Sequence, residues 1–380
     1  MADVRGDAWR ASWAEIDLAA IRHNVRTLVE RCTPADVCAV VKADGYGHGA
    51  VAVARAALKG GAAWLAVALV EEGIALRHAG VDAPVLLLAE PPAAAMGAVR
   101  AAALTPTLYT TAGVAAAAAA ASGQAPLTVH LKVDTGMHRV GADPADAVAL
   151  AQAIGEAPGL RLGGTWTHLA VADEAGQASY TATQLGRFDA VVGDLRAAGV
   201  DPGLLHAANS AAALTVASSR FDLVRCGIAV YGYSPVALPD GWPPLQPALS
   251  LRSRVSLARS LAAGERVSYG LRYALKTDSV VATVPLGYAD GVPRRLSAVG
   301  GEVLIGGRRR PIAGTVTMDQ LMADCGPEAD VAAGDEVVLL GRQGDKEITA
   351  DDWAGRLDTI AYEILCGISK RVPRVVRDRA

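Results

Sequence analysis

The sequence predicts an α/β protein in which a parallel (β/α)8 TIM-type barrel is followed by a mainly-β C-terminal domain. Three observations lead to that class. Between about residues 14 and 240, apolar strand-like runs alternate with longer helix-like stretches about eight times, the count that closes a parallel barrel. Residues able to do chemistry (Lys42, Asp134, His168, Ser210, Gly227) fall at the C-terminal ends of those runs, where such barrels build their sites. After Pro235 the texture changes to proline punctuation and then to short strands parted by glycine turns.

The barrel strands are expected at Val37–Val41, Trp64–Leu69, Val85–Leu88, Thr105–Leu108, Leu127–Val133, Gly163–His168, Leu204–Ala207 and Leu223–Val230. Amphipathic or Ala-rich segments between them, such as Ala50–Leu58, Val70–His78, Ala145–Ile154 and Thr183–Ala198, read as the helices. The Ala115–Ala121 run is also helix, because alanine is the strongest helix former. The second domain is expected over 246–380, with strands at Leu249–Leu257, Ser279–Val284, Val303–Ile305 and Val337–Leu340 and one helix over Asp352–Glu363, Asp351 or a neighbour near its cap. Residues 1–13 are expected to join this domain rather than the barrel.

Composition narrows the class further. The chain of 380 residues is comfortable for two domains, and at 52% hydrophobic but 4% aromatic its core must be filled by Ala, Val and Leu. A net charge of −3, with no long basic or acidic block, points away from nucleic acid. No apolar stretch reaches membrane-spanning length, and the charged start of the chain lacks a signal-peptide core. Five cysteines without paired spacing suit a reduced, cytoplasmic protein, and the seven histidines show no metal spacing.

The most informative stretch is Ala39-Val40-Val41-Lys42-Ala43-Asp44-Gly45-Tyr46-Gly47-His48-Gly49. A lysine at a strand mouth loses solvent, which disfavours its ammonium form and suits an amine that must attack a carbonyl and form a Schiff base. On the fifth strand, alternation places His130, Lys132 and Asp134 on one face and Leu131 and Val133 on the other. With the apolar set against the helices, Lys132 points inward. A buried cation is costly unless paired, so either Asp134 compensates it or Lys132 is chemically converted to an anion. Asn209-Ser210 after the seventh strand, with Gly227-Ile228 after the eighth, offer a hydroxyl and backbone N–H groups suited to phosphate. Ser210 is equally an ordinary helix cap. Arg225 carries donors only and stays protonated. Tyr269, in a glycine turn of the second domain, could serve as a proton carrier only where positive charge draws its phenol down from about 10.

Taken together these stretches resemble the bacterial alanine racemase family over nearly the whole chain and in order. The resemblance rests on Val41–Gly49; Lys132-Val133-Asp134-Thr135-Gly136-Met137 with Arg139; Thr167-His168; His206 with Asn209-Ser210; Val224-Arg225 with Gly227-Ile228; Val267-Ser268-Tyr269-Gly270; Met318-Asp319-Gln320; and Arg371-Val372-Pro373-Arg374. It implies a pyridoxal 5'-phosphate enzyme assembled as a homodimer whose active sites are shared between subunits. Lys42 would carry the cofactor, and Tyr46, Ser210, the backbones of Gly227 and Ile228, and Tyr362 would hold its phosphate, with Asn209 adjoining. Arg225 would face the pyridine nitrogen, with His168 between it and the catalytic tyrosine. Arg139 would contact the cofactor oxygen and the substrate carboxylate, and the Met318 backbone would help bind that carboxylate. Lys132 matches a position often carbamylated, which would answer the buried-cation problem. Tyr273, Tyr288 and Asp290 would line the substrate entrance.

By the same resemblance, Lys42 and Tyr269 of the other subunit would work as opposed bases interconverting L- and D-alanine for peptidoglycan. Departures are modest: Thr317 where cysteine is common, Thr315 where arginine is common, and Asp44-Gly45 for Asn-Ala. The nearest competing expectation is a racemase of the same fold acting on serine, lysine or a broader range of amino acids. A decarboxylase on a similar barrel, or a non-enzymatic cofactor-binding barrel, would lack the second-domain motifs.

Overall fold

The computed structural model describes residues 10–121, 125–327 and 329–378. The chain divides into two compact units. One comprises Ala20–Gly45 and Ala50–Gln246; the other takes the chain up to Ala19, the short stretch Tyr46–Gly49, and everything from Pro247.

The larger unit holds the eight parallel strands. In chain order after β1 (Ser12–Asp17), which belongs to the other unit, they are β2 (Asp36–Val40), β3 (Trp64–Val67), β4 (Val85–Leu87), β5 (Thr107–Leu108), β6 (Leu127–Lys132), β7 (Leu160–Trp166), β8 (Leu204–His206) and β9 (Leu223–Cys226). Parallel ladders join β9–β2–β3–β4 and β5–β6–β7–β8. A parallel bridge between Leu86 and Thr105 links the first set to the second. Hydrogen bonds from Arg225 N to Ala208 O (3.0 Å) and from Asp222 N to Leu205 O (3.0 Å) close the ring between β8 and β9.

Alternation along β6 sets the contents of the two sides. Val129, Leu131 and Val133 pack with Val114, Ala117, Ala147, Leu150, Ala151 and Ile154 of the surrounding helices. His130 and Lys132 face the barrel interior instead, where they meet His206 and Trp166 of neighbouring strands. The alanine run lies in the helix Thr111–Ala121, whose Ala117 and Ala121 are fully buried. Small side chains let that helix lie close to the sheet in a chain with few aromatics.

In the smaller unit one sheet runs in the order Arg308–Pro311, Glu302–Ile305, Glu336–Gln343, Leu249–Arg254, β1, Arg374–Arg377, with Lys346–Ile348 pairing off Glu336–Gln343. A second sheet joins Leu257–Leu261, Ser279–Val284 and Leu321–Asp324. The pairings are antiparallel except that of β1 with Arg374–Arg377.

Three features differ from the sequence reading. The barrel does not begin at residue 14, because the strand there pairs with Leu249–Arg254 through Ala14–Leu251 and Ile16–Leu249. Residues 10–13 accordingly belong with the second unit, while residues 1–9 lie outside the described residues. The single run Leu249–Leu257 is the whole of one strand, Leu249–Arg254, and the first residue of another, Leu257–Leu261. The helix expected over Asp352–Glu363 is two, Ala350–Leu357 and Ala361–Gly367, because Asp358 adopts a left-handed φ of 59°. The first of these starts at Thr349 rather than Asp351, with Thr349 Oγ1 accepting from Asp352 N (3.0 Å) and Thr349 N donating to Asp352 Oδ2 (2.8 Å).

Candidate active site

Lys42 follows β2 by two residues, and Val41 N still pairs with Ala66 O (2.8 Å). From Ala43 to Tyr46 the backbone is left-handed throughout, with φ of 52°, 53°, 62° and 51°. Each non-glycine residue there costs about 1 kcal/mol, so something must hold the turn. Gly45 N donates to Val41 O (2.9 Å), Ala43 N to Glu72 Oε1 (2.6 Å) and Ala50 N to Asp44 Oδ1 (2.9 Å). Glu72 also accepts from Ala68 N and Leu69 N, so one carboxylate pins the loops after both β2 and β3. The half-buried Lys42 therefore rises from an over-determined, strained turn.

Lys132, at the end of β6, is buried and stands 4.4 Å above the Trp166 ring. Among the described residues no carboxylate lies within ion-pair distance of it. Asp134 is spent on its own loop, accepting from Gly136 N (3.0 Å), His138 N (3.0 Å) and His138 Nδ1 (3.2 Å). Burial above all, then the charges of Arg225, Arg139 and Lys42 against the opposing pull of Asp134, lower the Lys132 ammonium to about 7. The exposed Arg139 is carried on the same loop. The helix Ala178–Ala197 anchors that loop from outside: Tyr180 Oη donates to Gly136 O (2.7 Å) and Arg187 Nη1 to Thr135 O (3.0 Å).

Arg225, on β9, is buried at the barrel centre, its guanidinium carbon 4.5 Å from the Trp166 centroid. Nη2 donates to Thr167 O (2.8 Å), Ala207 O (2.9 Å) and His168 Nδ1 (3.2 Å), and Nη1 to His206 Nδ1 (2.9 Å). Every one of those acceptors is neutral, and burial lowers Arg225 to about 10 while leaving it charged near pH 7. His168, partly buried after β7, is pushed well below its ordinary value by burial, then by Arg225, Lys132, Arg139 and Lys42. Because Arg225 donates to Nδ1, the His168 proton sits on Nε2. Gln184 fixes the His168 backbone, donating Nε2 to His168 O (3.1 Å) while Oε1 accepts from Ala170 N (2.8 Å).

Beyond β8, Asn209 caps the helix Ser210–Thr215, its Oδ1 accepting from Ala212 N (3.0 Å). The cap is thus Asn209, which leaves the buried Ser210 hydroxyl for other work. Ser210 Oγ accepts from Gly227 N (2.9 Å) and Ala229 N (3.4 Å), drawing the loop with Gly227 and the buried Ile228 onto the start of that helix. As an acceptor in both bonds, Ser210 keeps its own proton to donate.

The remaining predicted residues lie in the second unit. Tyr46 is buried, its ring 6.0 Å from that of Tyr362. Burial, with Tyr362 and Cys366 nearby, raises the Tyr46 phenol above its usual range, so it stays protonated and able to donate. Tyr269 is 74% exposed, on a turn where Ser268 takes φ 65°. Ser268 Oγ donates to Thr315 O (2.6 Å) and Thr315 Oγ1 to Tyr269 O (3.0 Å), so Thr315 braces the tyrosine turn. Met318 is 53% exposed, and its carbonyl accepts from Ala289 N (3.0 Å). A side chain at Gly287 would collide with the Thr317 and Met318 backbone, so only glycine allows that approach. Tyr288 is exposed, whereas Asp290 and Tyr273 are engaged internally: Asp290 is fully buried against Arg10, and Tyr273 Oη donates to Asp324 Oδ2 (2.9 Å).

Two interior residues had been given no role by sequence reasoning. His206 joins Arg225 to His130, whose Nδ1 lies 3.0 Å from His206 Nε2. Alternation on β6 had turned His130 inward, but its partner becomes visible only when the ring closes.

A barrel whose strand ends gather lysines, a buried arginine and a hydroxyl-amide cluster, followed by a β domain presenting a tyrosine, defines a two-domain barrel enzyme. Family models for the alanine racemase N-terminal domain and C-terminal domain match residues 16–235 and 248–376. The alanine racemase of Symbiobacterium thermophilum is 48% identical over 372 residues, 97% of each chain, and that of Frankia casuarinae 48% over 375 residues, 96% of this chain and 95% of that one. Among solved structures, the alanine racemase of Bacillus anthracis with bound L-Ala-P superposes with a TM-score of 0.90 at 39% identity, covering 98% of this chain and 96% of that one. The chain belongs to the alanine racemase family, a family of isomerases.

Proposed function

We propose that this chain interconverts L- and D-alanine with pyridoxal 5'-phosphate, acting as a homodimer in the cytoplasm and supplying D-alanine for peptidoglycan. The observation that carries the reading is Arg225: a permanent charge at the barrel centre whose partners are all neutral acceptors. The residues present fit the cofactor. Lys42 supplies the amine on a strained turn, and Tyr46, Asn209, Ser210, Gly227, Ile228 and Tyr362 supply donors for a phosphate. Arg139 and Arg225 bring positive charge for anionic ligands. When bound, the cofactor ring draws electrons from the substrate's central carbon, and Arg225, which cannot accept a proton, limits how much charge the ring stores.

The chain's own residues do the rest. Inverting a stereocentre by proton transfer needs a carrier on each face. Lys42 Nζ takes the proton when the substrate is the D-enantiomer, and Tyr269 Oη from a second subunit takes it from the L-enantiomer. The exposure of Tyr269 supports its working outside its own chain. His168, with its proton on Nε2, donates towards that phenol, and Arg225 keeps His168 in that tautomer. Arg139 and the Met318 backbone hold the substrate carboxylate. The low affinity of Lys132 for its proton leaves much of it as free amine near pH 7. Such an amine adds to carbon dioxide, forming an N–C bond and releasing a proton, and the resulting carbamate would position Arg139.

The test is to incubate the purified protein with L-alanine and resolve the enantiomers by chiral chromatography. D-alanine should form with wild type and not with Lys42→Ala. Tyr269→Phe should cripple exchange starting from the L-enantiomer far more than from the D. Racemisation that survives Lys42→Ala, or equal losses in the two directions, would overturn the two-carrier reading.

A further inference from the structure

We infer that His130 is a positioning residue for the reaction: through His206 it fixes where protons sit around Arg225, and with them the orientation of the guanidinium. The argument is one of donors and acceptors. Arginine only donates, so its 2.9 Å contact with His206 makes His206 Nδ1 an acceptor without a proton. His206 is fully buried and held neutral, first by burial and then by Arg225 and His130. Its single proton is therefore on Nε2. That atom faces His130 Nδ1 at 3.0 Å, so His206 donates and His130 accepts. His130, itself fully buried and lowered to about 3, then carries its proton on Nε2. Any other arrangement sets two N–H groups, or two lone pairs, head to head.

Two features indicate that the imidazole is present for that acceptor. His130 Nε2 is buried and meets no hydrogen-bond partner among the described residues, a cost that an apolar side chain of the same shape would not carry. The barrel also makes room for the ring. A Cβ on Gly164 would lie 2.7 Å from His130 Cε1, 2.9 Å from Nδ1 and 2.7 Å from Leu204 O, so the neighbouring strand carries no side chain where the ring and the β8 backbone come together. Without the acceptor, the His206 Nε2–H would be buried and unpaired. His206 could then flip or change tautomer, and Arg225 Nη1 would lose its partner. Arg225 would keep Thr167 O and Ala207 O, but its plane, and its grip on His168 Nδ1, would no longer be set.

The proton order stands on the structure alone; its catalytic consequence rests on the function proposed above. The test compares His130→Asn, whose amide oxygen can occupy the Nδ1 position, with His130→Gln, which reaches the Nε2 position instead, in the holoenzyme. Long-range 1H–15N correlation on histidine-labelled protein reads the His206 tautomer, assigned by its loss in His206→Gln. Wild type and His130→Asn should show a single Nε2–H tautomer, and His130→Gln a mixture. The kcat for racemisation should stay within about threefold of wild type in His130→Asn. In His130→Gln it should fall by up to about a hundredfold with little change in KM, the scale of a misplaced reacting group. A proton on His206 Nδ1 in wild type, or indistinguishable Asn and Gln variants, would overturn the inference. A protein that shows the tautomer pattern but racemises nothing would instead refute the proposed function.

Discussion

Gly47→Ala probes how the lysine turn is held. Gly47 sits at φ +79°, and a Cβ there would lie 2.6 Å from Leu365 O and 3.6 Å from Arg374 Nη2. Leu365 belongs to the helix Ala361–Gly367 that carries Tyr362, and its carbonyl cannot withdraw easily because it accepts from Ile368 N (3.3 Å). Arg374 closes the clamp from the other side, donating Nε to Gly47 O (2.9 Å), Nη1 to Ser369 O (2.5 Å) and Val372 O (2.7 Å), and Nη2 to Ile368 O (2.6 Å). Left-handed backbone costs an alanine about 1 kcal/mol, and forcing a methyl against a fixed carbonyl adds roughly 1–3 kcal/mol. The sum, about 2–4 kcal/mol, should lower the Tm by roughly 3–5 °C. Gly49→Ala is the control, since Gly49 has φ +94° but nothing within 4 Å of its added Cβ. It should carry the backbone term alone, about 1 kcal/mol. Differential scanning calorimetry on both variants decides the matter. Equal shifts for Gly47→Ala and Gly49→Ala would refute the clamp.

Two further outcomes follow from buried charge. Asp290 is fully buried, and although burial raises its pKa, the Arg10 hydrogen bonds, Gly287 N (2.9 Å) and the charges of Arg10 and Arg371 hold it below the usual carboxylate range. Arg10→Ala should cost about 3 kcal/mol at pH 7, and its deficit relative to wild type in urea unfolding should shrink below about pH 4, where the carboxylate no longer contributes. Separately, His130, His168 and His206 are all held neutral in the fold, His130 down to about 3. The unfolded chain binds more protons below about pH 6.5, so stability is present above that value and is lost progressively as pH falls towards the folded pKa. His130 alone accounts for roughly 2 kcal/mol between pH 6.5 and 5, measured by urea unfolding across that range. An unfolding midpoint that does not change over the interval would count against neutral interior histidines.

Much of this was legible in the sequence, for local reasons. The eight barrel strands announced themselves as short apolar runs, and Ser279–Val284 and Val70–His78 fall where alternation and helical period placed them. The Lys42 turn was legible because glycines mark it, although Ala43 and Asp44 take left-handed backbone without being glycine. What was hidden depends on residues far apart in the chain. That β1 would pair with Leu249–Arg254 in particular could not be read, because a six-residue strand does not name a partner more than 230 positions away. Asp358 broke a helix that its neighbours' propensities would have continued. Lys132 could be turned inward from alternation, but that Asp134 would spend its oxygens on Gly136 and His138 could not be foreseen. The His130–His206–Arg225 chain needs β6, β8 and β9 around one axis, and no single strand reports it.

The charge balance of the barrel interior ties these pieces together. Lys132, Arg225, Arg139 and Lys42 each lower a neighbour's proton affinity, and among the acids of the described residues only Asp134 pulls Lys132 the other way. Left so, the group would be self-repelling, and three histidines at its edge could only add to the strain by protonating. Their burial prevents it, which keeps Arg225 as the fixed charge and the imidazoles as neutral donors and acceptors of settled direction. Such an interior is complementary to anions. A carboxylate or phosphate bound among these cations would offset part of their field on Lys132 and His168, raising the proton affinity of both. The tautomer of His168 is the part that must survive that change, and it does so because Arg225, anchored on Thr167 O and Ala207 O, continues to occupy Nδ1.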